Sequence, residues 1–141
     1  MKIGIVSGYF NPLHAGHVEY INAAKKECEL LFVIINSDYQ RKLKGSKEFM
    51  DQYHREFIVG NLKSVDKTFI SIDTDKTQCE TLKHLRQLYP NDELSFMNSG
   101  DRKNENLNCS ENYVCEQLKI LAIVLDLPKI HSSSELLKGL E

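Results

Sequence analysis

The chain has 141 residues, a length that fits one domain with a genuine buried core. It carries 18 basic and 20 acidic residues and a formal charge of -2, so it offers no large basic surface for nucleic acid or a membrane. Small-molecule chemistry is therefore the expected kind of function. The apolar segment at the N-terminus is only a few residues long, so we expect neither a signal peptide nor a membrane span, and a cytoplasmic location.

Short β-branched runs alternate with longer amphipathic stretches along the chain, a pattern typical of successive βα units. The sequence predicts strands over 2–6, 30–35, 68–72, 94–97 and 120–125, and helices over 16–27, 50–63, 77–89, 110–118 and 132–139. Nearly continuous apolar strands are typical of a parallel sheet covered on both faces. The predicted fold is α/β: a Rossmann-like, doubly wound, five-stranded parallel sheet of order 3-2-1-4-5, forming a single domain over 1–141.

The four cysteines form no Cys-x-x-Cys pair and show no metal-ligand spacing. We interpret them as reduced, mostly buried thiols and expect no metal site built by protein side chains. They are Cys28, Cys79, Cys109 and Cys115.

The segment Ser7-Gly-Tyr-Phe-Asn-Pro-Leu-His-Ala-Gly-His17 joins the first predicted strand to the first predicted helix. It brings two imidazoles to the start of a helix, whose unpaired backbone N–H groups and partial positive charge bind anions. Gly16 lets backbone approach a ligand closely, and Pro12 stiffens the loop. A single histidine is as often structural as functional, but the combination predicts a phosphate site at His14 and His17.

Parallel sheets bind ligands beyond the carboxyl ends of their strands, where the strand order reverses. For the order 3-2-1-4-5 this crevice lies between the first and fourth strands, and the unusual loops 7–17 and 98–104 follow those two strands. In the second loop, Gly100 is suited to bring backbone against a base or ribose, and Asp101 to accept from sugar hydroxyls or help hold a metal. The composition of this loop is also that of an ordinary turn.

The segment His14-Ala-Gly-His17 resembles the H-x-G-H signature of the cytidylyltransferase-like nucleotidyltransferases. This family includes glycerol-3-phosphate and ethanolamine-phosphate cytidylyltransferases and several adenylyltransferases. Further segments are similar to the family's pattern and follow in the family's order. They are Asn36-Ser-Asp38 with the basic segment 41–47, Tyr53-His-Arg55, Ser99-Gly-Asp101 and His131-Ser-Ser-Ser134.

The resemblance implies nucleotidyl transfer, in which an acceptor phosphate or phosphonate attacks the α-phosphorus of a nucleoside triphosphate and releases pyrophosphate. Because the attacking oxygen is ionised at neutral pH, alignment and donors aimed at the phosphates are sufficient for catalysis. The implied donor is CTP, with ATP as the alternative, and the implied acceptor is a small polar phosphate or phosphonate. The resemblance also implies Mg²⁺, held mainly by the triphosphate, and is compatible with a homodimer.

Residues at the matched positions are expected to have the roles that the family resemblance implies. The residues expected at the reacting phosphates are His14, His17 and Lys44. Those expected to bind the nucleotide are Tyr9, Phe10, Gly16, Gly100, Asp101, Ser132, Ser133 and Ser134. Those expected at the acceptor or at phosphate groups are Asn11, Asp38, Lys47 and Arg55.

Simpler interpretations exist for several of these residues. A lysine cluster is usually a solvated, mobile loop, and the serines at 132–134 are also preferred helix caps. Arg55 has Asp51 and Glu56 nearby as partners for a surface salt bridge. Asn11 also departs from the aspartate that is common in the cytidylyltransferase branch, which weakens the assignment of the base.

Other classes of protein fit less well. The chain lacks the Gly-x-x-x-x-Gly-Lys-Ser/Thr pattern of a Walker loop, so its phosphate site is of another type. Lys44-Gly-Ser-Lys47 is faintly similar to the lysine signature of class I aminoacyl-tRNA synthetases, but it follows the second strand and leaves nothing for tRNA recognition. A non-catalytic nucleotide-binding or scaffold domain is the remaining alternative, and the intact basic residues argue against it.

Overall fold

A computed structural model describes residues 1–45, 47, 49–99 and 110–125. Its five strands form one parallel sheet of order β3-β2-β1-β4-β5, which confirms the predicted α/β fold and strand order. The predicted helix over 132–139 lies outside the described residues. In chain order the elements are β1 (Lys2–Gly8), α1 (Ala15–Lys26), β2 (Leu30–Ile35), α2 (Asp38–Lys44), α3 (Gln52–Gly60), β3 (Lys67–Ile70), α4 (Cys79–Leu88), β4 (Glu93–Ser99), α5 (Ser110–Leu118) and β5 (Leu121–Leu125).

Helices cover both faces of the sheet. On one face, Ile21 of α1 and Val59 of α3 are fully buried in a cluster with strand residues. On the other face, Leu82 and Leu85 of α4 and Cys115 of α5 form a second buried cluster. Because β1, β2 and β4 face apolar helices on both sides, both sets of alternating side chains are apolar, and these strands read as continuous hydrophobic runs.

Helix α2 was not predicted, and the interpretation of 41–44 as part of a solvated loop is wrong. Ser37 Oγ accepts the N–H of Gln40 at 3.1 Å, and Gln40 Oε1 accepts the N–H of Ser37 at 3.0 Å, which is a capping box. Gly45 ends the helix in the left-handed region, at a φ of 82°. The seven-residue helix has too few apolar residues for a periodic signal, but the Ser-x-x-Gln pattern and the glycine were available as signals.

The end of β3 also differs from the prediction, because the strand ends at Ile70 rather than at residue 72. Asp73 accepts the N–H of Glu80 at 2.8 Å and that of Thr81 at 3.0 Å, so its carboxylate caps α4. The apolar pattern does not reveal this contact.

The three cysteines in the described ranges are free thiols. Cys115 is buried, whereas Cys28 and Cys79 are half-buried, so the expectation of mostly buried thiols holds for Cys115 alone. No helix in the described ranges combines the length and apolarity needed to cross a bilayer.

Candidate active site

The segment between β1 and α1 holds two histidines at the start of the helix. His14 is the N-cap residue of α1, and its Nδ1 accepts the backbone N–H of Gly16 at 3.1 Å. His17 Nδ1 accepts the backbone N–H of His14 at 3.1 Å, which completes a reciprocal capping box. The first turn of α1 contains no acidic side chain, so the positive end of the helix is suited to an anion.

The two imidazoles stack, with their centroids 3.9 Å apart and their planes inclined by 29°. Since each Nδ1 accepts a backbone N–H, the hydrogen-bond network assigns the proton of each neutral ring to Nε2. Within the described part of the chain, neither Nε2 has a hydrogen-bond partner. His14 and His17 therefore present two donors close together beside the helix N-terminus.

Burial keeps these histidines neutral at pH 7. Desolvation, together with the neighbouring His14, lowers the pKa of His17 to about 4. Desolvation also lowers the pKa of His14. A phosphate bound nearby stabilises the protonated form of histidine, so we expect the pair to become more basic when an anion occupies the site.

Phe10 packs against His17, with the two rings edge to face at 5.0 Å between centroids. It is buried, and its φ of 52° lies in the left-handed region that a non-glycine residue rarely adopts. Gly8 provides room for the ring, since a Cβ there would lie 2.7 Å from Phe10 Cζ. Phe10 thus supports His17 from the core, and its contact with a nucleotide stays a prediction.

Helix α2 brings Lys44 to the histidine-bearing loop. Lys44 is exposed, and its Nζ lies 4.4 Å from the centroid of the Tyr9 ring in a cation–π contact. Asp38, at the other end of α2, is half-buried. The structure therefore gathers Tyr9, Lys44 and Asp38 around one loop, while their roles toward phosphate or nucleotide stay predictions.

Asn11 ties this loop to the segment that follows α2. Its Oδ1 accepts the N–H groups of Phe49 and Met50, both at 3.0 Å, and its Nδ2 donates to the carbonyl of Lys47 at 2.8 Å. Both ends of the amide are thus engaged by backbone. Asn11 holds the exposed Lys47 next to the histidine loop, an arrangement that the sequence pattern alone does not show.

Arg55 is wholly buried and connects the segments that border the site. Its Nη1 donates to the carbonyls of Tyr9 at 2.8 Å and Asn36 at 2.7 Å, and its Nε donates to the carbonyl of Met50 at 3.1 Å. Nη2 pairs with Asp38 Oδ1 at 2.9 Å. The planar guanidinium therefore joins the end of β1, the end of β2 and the start of α3 in one network.

These contacts correct one interpretation made from the sequence. The ion-pair partner of Arg55 is Asp38, and the surface salt bridge considered with Asp51 or Glu56 is not formed. Four contacts from the guanidinium go to protein groups, so Arg55 acts in this structure as a positioning residue. Its direct contact with an acceptor phosphate stays a prediction.

Sequence reasoning missed two glutamines that align these segments. Gln52 Oε1 accepts the N–H of Asp38 at 2.9 Å, and Gln40 Nε2 donates to the carbonyls of Asp75 and Thr77, both at 2.9 Å. Their partners lie 14 to 37 residues away along the chain, so no local sequence pattern reveals these contacts.

Part of the predicted site falls outside the residues that the structure describes. The residues concerned are Gly100, Asp101, Ser132, Ser133 and Ser134. Among the described residues, no three histidine, cysteine or acidic side chains come together in a way that could hold a metal ion.

A doubly wound parallel sheet with an H-x-G-H segment at the start of its first helix is an α/β domain that resembles the nucleotidyltransferases in fold and in this segment. The chain belongs to the family described as cytidylyltransferase-like, whose pattern it matches over residues 5–134.

The chain is similar to curated proteins of more than one kind. The bifunctional protein HldE of Bradyrhizobium sp. (strain ORS 278) is 29% identical over 138 residues, which are 96% of this chain and 26% of that protein. The FAD synthase of Picrophilus torridus is 36% identical over 75 residues, which are 53% of each protein. The chain therefore spans about a quarter of the one relative and about half of the other.

A solved structure confirms the fold. The lipopolysaccharide core biosynthesis protein from Thermoplasma volcanium superposes with a TM-score of 0.69, at 18% sequence identity, over 90% of this chain and 98% of that chain.

Proposed function

We propose that this chain transfers a nucleotidyl group from a nucleoside triphosphate to a small phosphate or phosphonate acceptor. The observation that carries the proposal is the pair of Nε2–H donors of His14 and His17 at the N-terminus of α1, beside Lys44. This arrangement suits a polyphosphate, because it combines backbone dipoles, neutral donors and an exposed ammonium group.

In the proposed reaction, an acceptor oxygen forms a bond to the α-phosphorus, and the bond from that phosphorus to the oxygen bridging to the β-phosphate breaks. The electron pair of the broken bond leaves with pyrophosphate. His14 and His17 donate to phosphoryl oxygens as charge develops on them, and Lys44 closes over the phosphates from α2. The buried network of Arg55 keeps these elements in register, which preserves the in-line geometry that the transfer needs.

Mg²⁺ is the expected cofactor. The carboxylate of Asp38 is paired with Arg55, and the described residues contain no cluster of metal ligands. In this proposal the ion arrives on the triphosphate and keeps phosphate and water ligands. When bound, it supplies charge neutralisation for the leaving pyrophosphate.

The identity of the base has two candidates. The sequence analysis expected CTP on the strength of the family resemblance. A relative named FAD synthase favours ATP, because FAD contains an adenylyl group. We therefore place ATP first and CTP second. The residues expected to contact the base lie outside the described ranges, so this choice depends on relatives and not on geometry.

The test is a pyrophosphate-release assay with each Mg²⁺-nucleotide and a panel of small phosphate and phosphonate acceptors. We expect release that requires an acceptor, and a loss of at least about 100-fold in kcat for His17→Gln, the range seen when one charge-stabilising donor is removed. Nucleotide binding without release, for every acceptor tried, would instead support a non-catalytic nucleotide-binding domain.

A further inference from the structure

Helix α2 carries Lys44 but has little apolar packing to hold it in place. Its apolar side chains, Tyr39 and Leu43, are 56% and 43% exposed. Its two buried residues, Gln40 and Arg41, are both polar. The position of α2 therefore depends on hydrogen bonds and ion pairs, which have defined lengths and angles, and not on non-directional hydrophobic contacts.

Gln40 ties the middle of α2 to the segment that precedes α4. Its side chain is wholly buried, and its Oε1 accepts the N–H of Ser37 at 3.0 Å. Its Nε2 donates to the carbonyls of Asp75 and Thr77, both at 2.9 Å, so each of the two amide N–H groups has a partner. A fully paired buried amide favours one arrangement, because a shift of α2 against residues 75–77 leaves buried polar groups unpaired.

The segment that Gln40 binds is itself anchored to the fold. Asp75 Oδ1 accepts the N–H of Thr77 at 2.8 Å and its hydroxyl at 2.6 Å, which closes an Asx-type turn. The next residue, Gln78, donates its backbone N–H to the buried Glu111 of α5 at 2.9 Å. The two carbonyls that accept from Gln40 therefore have fixed positions.

Gln40 and Lys44 lie on the same face of α2, one helical turn apart, because they are separated by four residues. Lys44 is the last residue of the helix, and its Nζ lies 4.4 Å from the centroid of the Tyr9 ring. The ion pair of Asp38 anchors only the first residue of α2. A rotation of α2 about its axis would carry Lys44 away from the ring, so the bonds of Gln40 determine the direction in which Lys44 extends.

We propose that Gln40 is the positioning residue for Lys44, and that its paired amide holds α2 at the angle that directs the Lys44 ammonium to the histidine-bearing loop. The inference rests on the proposed function, in which Lys44 binds the reacting phosphates, and adds a residue that the family resemblance does not assign. An apolar side chain of the same length would fill the same space without fixing this angle. The polar side chain therefore specifies position.

The first test measures the position of Lys44 by NMR, with the lysine side chains labelled with ¹³C and the signal assigned through Lys44→Arg. Protons above an aromatic face are shifted upfield, so we expect the Lys44 Cε protons upfield of those of Lys42. Tyr9→Leu should remove this shift. Gln40→Met keeps the length of the side chain but loses its hydrogen bonds, and it is expected to remove the shift as well.

The second test is a double-mutant cycle on pyrophosphate release, with Gln40→Met and Lys44→Ala made singly and together. We expect Gln40→Met alone to lower kcat/KM about tenfold, because a misplaced group loses its alignment with the reacting atoms. In the Lys44→Ala background the same change should lower kcat/KM by less than about twofold, since the ammonium that it positions is absent. A merely structural role would lower kcat/KM equally in both backgrounds.

Two control variants separate positioning from general effects on the fold. Ser37→Ala removes the Oγ that accepts the backbone N–H of Gln40 but leaves the amide bonds to residues 75 and 77. It is expected to lower the Tm and to keep the Lys44 shift. Gln78→Met makes the same chemical change at a second buried glutamine, whose Oε1 has no hydrogen-bond partner among the described residues. It should keep the Lys44 shift, with kcat/KM within about twofold of wild type.

Asp75→Ala repeats both tests should Gln40→Met fail to fold, because Asp75 is exposed and its loss opens the turn that Gln40 binds. An unchanged Lys44 signal in the folded variant, or an equal loss of kcat/KM with and without Lys44, would overturn the positioning role. Both results leave nucleotidyl transfer itself intact. If the wild-type protein releases no pyrophosphate with any nucleotide and acceptor, the proposed function fails, while the NMR signal still decides whether Gln40 positions Lys44.

Discussion

At the scale of single residues, His17 has two separable duties. Its Nδ1 caps α1 through the N–H of His14, and its Nε2 is the predicted phosphate donor. Glutamine is a favoured residue at this position of a capping box, so His17→Gln can keep the first role through its side-chain oxygen. We expect it to lose the second role, because its amide N–H groups do not reproduce the position of Nε2–H on the stacked imidazole. Alanine loses both.

We predict that His17→Gln leaves the Tm near that of wild type, while His17→Ala destabilises the protein by about 1 kcal/mol, the usual effect of losing a cap. Both should lose turnover to a similar extent. Thermal unfolding and pyrophosphate release measure the two effects. If His17→Gln keeps turnover and only the alanine variant loses it, the role of His17 is structural.

The lowered pKa of His17 links stability to pH. The pKa of His17 is about 4 in the folded protein and 6.5 when unperturbed, so between these values the unfolded chain binds more protons. The stabilisation is therefore present above pH 6.5 and is lost as the pH falls toward 4. We predict a decrease of about 1–2 kcal/mol in the free energy of unfolding from pH 7 to pH 5, measured with urea. The slope should be shallower in His17→Gln, and an unchanged slope would contradict the assignment.

The buried contacts of Arg55 lead to a prediction about the stability of the protein. Because its guanidinium is buried with four protein contacts, Arg55→Lys leaves carbonyls and Asp38 without full partners. We predict a loss of about 3 kcal/mol in the free energy of unfolding, at the lower end for breaking a buried ion pair. Asp38→Asn keeps an acceptor oxygen and should cost less. A fully stable Arg55→Lys protein with a raised acceptor KM would show that Arg55 binds substrate directly.

At the scale of elements, α2 gives its lysines fixed and different positions. Lys44 lies over the Tyr9 ring, whereas Lys42 is exposed on the same helix and makes no cation–π contact with a described residue. We predict that Lys44→Ala lowers kcat/KM by about 10- to 100-fold and Lys42→Ala by less than about twofold. Pyrophosphate release under identical conditions compares the pair. Equal, small effects would mean that this basic segment serves solubility alone.

The elements also show which features a sequence can reveal. The strands were predictable because burial on both faces makes them continuous apolar runs, and the site loop because a histidine pair at a helix start has a local pattern. The contacts of Asn11 and Arg55 were not predictable, because their partners come from other segments and carbonyl groups have no sequence signature. Helix α2 was missed because caps rather than apolar periodicity define it.

At the scale of the whole molecule, the strand order brings the ends of β1 and β4 together and places different helices on the two faces of that junction. The face of α1 carries the histidine donors. The proposed transfer needs both substrates at one place, and we predict that they meet at the carboxyl end of this junction.

The most direct test of the account is calorimetric titration of the protein with Mg²⁺-ATP and with Mg²⁺-CTP, in wild type and in His17→Gln. We predict saturable binding of one nucleotide in preference to the other, and at least about tenfold weaker binding in the variant, because the triphosphate loses the imidazole Nε2–H at the helix N-terminus. A preference for ATP or for CTP identifies the nucleoside triphosphate that donates the nucleotidyl group. Equal binding of the nucleotide by wild type and His17→Gln, or no binding of either nucleotide, would contradict a triphosphate site at the H-x-G-H segment.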